Sequence, residues 1–184
     1  MQHLNKKICV IFIINNINDL LGKSIKSINN QKNISEIFFI NPLDIELRNF
    51  ISEIKEQINV TSINDLNIVE NINHCISISL AEFISIICSD ELLYEDSFDH
   101  LLKVLKENNK LNLIWGFSQF IDKSFNFLGY SITDCKTDFY QNLINPNKEI
   151  RSSSFLIRKS LLTKLGSFDK RFKNHFFLEF IIRV

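Results

Sequence analysis

Glycine is scarce in this chain, with four residues in 184. No Gly-x-Gly-x-x-Gly follows the first apolar run, so the phosphate cradle of a dinucleotide-binding domain is missing. Cysteine is scarce too, and Cys9, Cys75, Cys88 and Cys135 share no paired spacing. Buried, reduced thiols of a cytoplasmic protein are the expectation. His74, Cys75 and Cys88 lack the two-cysteine ligand spacing that marks a zinc site. Excess charge of either sign is absent, since 21 Lys and Arg balance 21 Asp and Glu. A nucleic-acid surface needs clustered positive charge, so nucleic acid is not an expected partner. Long hydrophobic runs are missing as well. The longest near the start, Ile8 to Ile14, falls far short of the roughly 20 residues that span a bilayer. Lys6-Lys7 before it imitates the start of a signal peptide, but Asn15-Asn16 stands where small residues should form a cleavage site. The chain therefore reads as cytoplasmic, without a transmembrane segment and at most peripheral to a membrane.

What the sequence does contain is an alternation of apolar runs and amphipathic stretches, in the manner of a βαβ sheet. Ile8 to Ile14 predicts a first strand. Asp19 then caps a helix whose stripe is Leu21, Ile25 and Ile28. Ile37 to Ile40 predicts a second strand, closed by Asn41-Pro42. A helix carrying Leu47, Ile51, Ile54 and Ile58 follows, then a short strand from Ile58 to Ser62. Ile72, Ile76 and Leu80 mark a third helix, and Phe98, Leu101, Leu102 and Leu105 a fourth after Asp96. Leu111 to Ile121 reads as a strand broken by Gly116 and paired with Phe127 to Ile132 as a hairpin. Thr133 to Ile150 reads as a loop over the sheet. Ser153 to Ile157 predicts a late strand, Lys159 to Leu165 a helix stopped by Gly166, and Phe176 to Val184 a last helix. The 184 residues suit one domain with a sizeable core.

The segment richest in chemistry is Phe83 to Leu93. A continuous apolar run, Phe83 to Cys88, ends abruptly in Asp90 and Glu91. Such a run suits a parallel strand covered on both faces. Ligands of open α/β sheets bind at the carboxyl ends of these strands, so the two acids stand where chemistry is usually done.

Ile86-Ile87-Cys88-Ser89-Asp90-Glu91 resembles the metal-binding strand end of family 2 glycosyltransferases, whose usual form is Phe-Leu-Asp-Ser-Asp-Asp. Asp90 falls on the last acid of that motif and Cys88 on the first. The resemblance runs over nearly the whole chain. Asn16 and Ser27-Ile28-Asn29-Asn30-Gln31 fall on the family's opening strand and helix. Glu36 to Pro42 falls on its Glu-Ile-Ile-Val-Val-Asp-Asp. Asn73 keeps the asparagine of an Ala-Arg-Asn in which Ile72 replaces the arginine. Phe120 to Lys123 with Phe127 to Gly129 resembles its hairpin, and Ser153 to Leu162 with Gly166 to Asp169 its late segment.

The resemblance implies a GT-A-like, Rossmann-like α/β fold, a mostly parallel sheet with helices on both faces. It implies transfer of a sugar from a nucleoside diphosphate donor, a UDP-sugar first among them, to an acceptor hydroxyl on a glycan, a lipid-linked carrier or a protein. It places Asn16, Asn41, Asn73 and Glu91 at the nucleotide sugar and Asp90 on a Mg²⁺ or Mn²⁺ ion. Hard cations want oxygen ligands, and Cys88 is a soft one. Asn41 presents both an acceptor and donors, which match the adjacent N–H and carbonyl of uracil.

The family's catalytic acidic pair falls on Phe176 and Phe177, which cannot take a proton. The nearby candidates for a general base are His175 and Glu179. Family members also continue past this helix, whereas the chain stops at Val184, as a domain cut short would. The competing expectation is a non-catalytic, degenerate glycosyltransferase that acts as a binding or scaffolding module.

Overall fold

The computed structural model describes residues 8–15, 19–40, 58–63, 67–131 and 151–184. A six-stranded sheet is built from β1 (Ile8–Ile13), β2 (Ile34–Ile40), β3 (Asn59–Ile63), β4 (Phe83–Cys88), β5 (Leu113–Trp115) and β8 (Phe155–Arg158), in the order β3-β2-β1-β4-β8-β5. β3, β2, β1 and β4 run parallel, and β8 lies antiparallel between β4 and β5. A separate two-stranded ribbon pairs β6 (Ser118–Ile121) with β7 (Phe127–Ser131). The helices are α1 (Leu20–Asn29), α2 (Ile68–Ile78), α3 (Ser97–Glu107), α4 (Lys159–Leu165) and α5 (Phe176–Arg183).

The unbroken apolar run of β1 follows from its place at the centre, where both faces are covered. Alternate side chains serve opposite cores because strand side chains alternate with a period of two. Ile8, Val10, Phe12 and Ile14 join Leu21, Ile25 and Ile28 of α1 and Phe98, Leu102 and Leu105 of α3. Cys9, Ile11 and Ile13 join Ile72 and Cys75 of α2, Leu162 of α4, and Phe177, Phe180 and Ile181 of α5. The sheet is thus packed by helices on both faces, as the α/β reading requires.

One side of α1 is polar for a structural reason. Ser24 donates to the Glu91 carbonyl at 2.5 Å, and the Ser27 hydroxyl accepts the Leu93 N–H at 3.0 Å. Gln31, buried, donates to the Tyr94 carbonyl at 2.8 Å and accepts the Phe98 N–H at 3.2 Å. These side chains satisfy backbone groups of the stretch leaving β4, which would otherwise be stranded without partners. The segment after Asp90 is held at Glu91, Leu93, Tyr94 and Phe98.

Four expectations need correction or qualification. Leu80 does not extend the stripe of α2; it is 93% exposed. The helix stops because Ser79 turns extended and the Leu80 N–H donates to the Glu36 carboxylate at 2.9 Å instead of to a helical carbonyl. Ser153 and Ser154 belong to a 3-10 turn (Ser152–Ser154), and the late strand starts at Phe155. The stretch broken by Gly116 contributes its halves to two different sheets, β5 and β6. Asp19 occupies the cap position of α1 but makes no side-chain cap bond. The helix expected over Leu47 to Ile58, apart from Ile58 itself, and the loop over Thr133 to Ile150 lie outside the described residues.

Candidate functional site

Cys88, the last residue of β4, pairs with Ile13 at the end of β1, and Ile13 in turn pairs with Ile40 of β2. Three parallel strands therefore end together. The chain then folds into a tight turn. The Glu91 N–H donates to the Cys88 carbonyl at 3.0 Å, and the Glu91 carboxylate accepts the Cys88 N–H at 2.7 Å. Ser89 is tied to β1, its N–H on the Ile13 carbonyl at 2.9 Å and its hydroxyl accepting the Asn15 N–H at 3.2 Å. With its neighbours fixed inward, Asp90 is left at the tip of the turn with an exposed side chain.

β8 completes this edge from the other side. Because it runs antiparallel, its beginning lies beside the carboxyl end of β4, and the Ser152–Ser154 turn packs there. Ser153 and the positive charge of Arg151 both act to hold the Glu91 carboxyl down, and the Arg151 charge also reaches Cys88. Burial nevertheless dominates at Glu91 and raises its carboxyl above the ordinary glutamate range. Burial likewise pushes the Cys88 thiol up to about 12, and the nearby Glu91 and Asp90 charges add to the effect. The Asn15 side chain and the Arg151 charge act the other way, without offsetting burial.

These states decide what the edge offers a cation. Cys88 stays a protonated thiol and provides no thiolate. The Glu91 carboxylate is spent on its own turn. Among these three, Asp90 is left as an exposed carboxylate. Among the described residues, no group of three or more His, Cys, Asp and Glu side chains could hold a metal ion. Magnesium-type ions are commonly held by one or two carboxylates plus substrate phosphates. Asp90 therefore fits an ion carried mainly by a phosphorylated substrate, and the set does not fit an all-protein metal cage.

The other anticipated residues have separate positions. Asn16 and Asn41 lie outside the described residues; Asn15 and Ile40, which precede them, are at the carboxyl edge. Asn73 is half-buried on α2, its amide donating to the Phe168 carbonyl at 2.7 Å and accepting the Phe168 N–H at 3.0 Å. Both polar ends of that side chain are engaged with backbone.

His175 is exposed at the start of α5. Phe177 packs edge-on against Phe155 at 5.0 Å, so α5 begins near the strand-end edge. Phe176 meets Phe168 at 5.1 Å. Glu179, one turn further on, is clamped by Arg183 at 2.5 and 3.0 Å. The edge also contains Asn15, Arg151 and Ser153, which the linear sequence did not single out. Only the antiparallel direction of β8 brings the last two there.

A mostly parallel α/β sheet of this order, covered by helices on both faces, matches the GT-A-type fold. The particular likenesses are to solved structures. S. aureus TarS 1–349 in complex with UDP superposes with a TM-score of 0.69 at 11% identity, over 95% of this chain and 53% of that one. TarS 1–349 in complex with UDP-GlcNAc gives 0.65 at 12%, over 89% and 48%. The mannosyltransferase PcManGT from Pyrobaculum calidifontis, in complex with GDP-Man and Mn²⁺, gives 0.60 at 15%, over 89% and 47%. The chain spans about half the length of these structures. No family model and no curated protein matches the sequence. Among the described residues, no helix is long and apolar enough to cross a membrane.

Proposed function

We propose that this domain binds a nucleoside diphosphate sugar across the carboxyl ends of β1, β2 and β4 and belongs to a glycosyltransferase of the family 2 type. The observation that carries this reading is the turn that presents Asp90 outward at the junction of three parallel strands. A UDP-sugar is the first donor to consider, because Asn41 follows β2 directly and suits a uracil edge. Asn16 follows β1 and would line the same edge. Asp90 would hold a Mg²⁺ or Mn²⁺ ion, which when bound would neutralise charge on the departing diphosphate. Glu91 serves the site by fixing the turn that carries Asp90. The acceptor would offer a hydroxyl for in-line attack with inversion at the anomeric carbon.

A second reading has its own support. Phe176 and Phe177 fill the positions of the catalytic acids with rings packed against Phe155 and Phe168. Glu179 is held by Arg183, which leaves the exposed His175 as the nearer candidate base. A domain that binds donor yet turns over slowly, as a binding or scaffolding module, fits those two features. Titration calorimetry with UDP, in Mn²⁺ and in EDTA, tests the donor site common to both readings. Binding that tightens with Mn²⁺ is expected. If neither UDP nor GDP binds, both readings fall.

A further inference from the structure

The resemblance places an arginine at position 72, but Ile72 stands there and is fully buried in the core. We infer that Arg151, at the carboxyl edge of the sheet, supplies a cation to the donor diphosphate. This assignment rests on the donor-site reading above.

The placement comes first. Arg151 immediately precedes the Ser152–Ser154 turn, which packs against β4. Its backbone is fixed, because the carbonyl accepts the Ser154 N–H at 3.1 Å and the Ser154 hydroxyl at 2.7 Å. The turn is anchored from the other side by the Gly116 N–H on the Ser154 carbonyl at 2.9 Å. The guanidinium lies 5.8 Å from the ring centroid of Phe120 in β6. It is thus a half-buried cation on a fixed stem, between the hairpin and the end of β4.

The charge balance points the same way. A donor diphosphate is doubly negative and would enter beside Asp90. A divalent ion there is partly offset by Asp90 itself, so the phosphates keep net negative charge for a protein cation to meet. The planar guanidinium fork matches two phosphate oxygens at once, which an ammonium does not.

The test compares UDP and uridine binding, in Mn²⁺, by wild type, Arg151→Gln and Arg151→Lys. UDP affinity should fall about 10- to 100-fold in Arg151→Gln, as for a lost charged hydrogen bond. The loss should be smaller in Arg151→Lys, and uridine binding should not change. A second arm uses the wild-type chain alone: UDP, but not uridine, should slow modification of Arg151 by phenylglyoxal, followed by peptide mass spectrometry. Equal UDP affinity in Arg151→Gln, equal losses for UDP and uridine, or unprotected Arg151 in a chain that binds UDP would each overturn the assignment and leave the donor site standing. A wild-type chain that binds neither UDP nor GDP would remove the donor site itself, and one that binds GDP alone takes the same test with GDP and guanosine.

Discussion

The carboxylate of Glu91 turns back on its own strand and accepts the backbone N–H of Cys88 at 2.7 Å. Burial raises that carboxyl above its ordinary value of 4.5. A carboxyl raised in the folded state holds its proton more tightly there than in the unfolded chain. Its contribution therefore favours folding at low pH and is lost as pH climbs past about 4.5. Glu91→Gln imitates the protonated form and keeps an oxygen for the Cys88 N–H. Its stability relative to wild type should rise between pH 4.5 and 7, read as the difference in urea midpoint. A flat difference across that range would show that Glu91 is not raised.

Asp90 is the opposite case, exposed at the tip of the turn that Glu91 closes. Asp90→Asn should remove the Mn²⁺-dependent part of UDP affinity while leaving the metal-free part and the melting temperature unchanged. Glu91→Gln should keep most of the metal dependence, because its carboxylate faces the turn. Calorimetry showing equal Mn²⁺ enhancement in wild type and Asp90→Asn would count decisively against Asp90 as the ligand.

The contrast between these neighbours shows how far the sequence could be read. The apolar run of β4 and the two acids after it announce a strand end at a functional edge, and the alternation of elements announces the sheet. Apolar periodicity carries that information because burial on two faces demands it. The division of labour between Asp90 and Glu91 depends on a four-residue turn, which no pattern of residue types specifies. Arg151 and Ser153 were hidden for a topological reason. A strand's direction decides which of its ends meets the site, and β8 runs against its neighbours. Asn73 shows a further limit, since a motif match identifies the residue while its partners, the backbone groups of Phe168, lie 95 positions away.

Arg183 ties the end of α5 to the chain leaving α4. It donates to the carbonyls of Leu165, Gly166 and Ser167 at 2.7, 2.9 and 2.8 Å while Glu179 holds its other side. Arg183→Ala should destabilise the fold by about 1.5–3 kcal/mol, the scale of hydrogen bonds to charged groups. Glu179→Gln should cost less, about 0–1 kcal/mol, because the pair is partly exposed and its neutral amide still accepts. Urea denaturation gives both values. If Glu179 acts as the base, Glu179→Gln would in addition abolish transfer.

The last prediction concerns rate. Phe177 is buried and Phe176 half-buried where the family's acidic pair would stand, and the Glu179 carboxylate is paired with Arg183. Without a carboxylate at those positions, proton removal from an acceptor hydroxyl loses the general-base help of that pair, worth about 10² to 10⁴ in rate. Cys88, a protonated thiol at the first acidic position, also leaves the metal one oxygen ligand short. The purified chain should therefore show at most slow donor hydrolysis, far below the enzyme median of about 10 per second. A UDP-release assay across several UDP-sugars measures this, with His175→Ala as the companion variant. Turnover near 10 per second in wild type, lost in His175→Ala, would establish the exposed histidine as the base and end the slow-module reading.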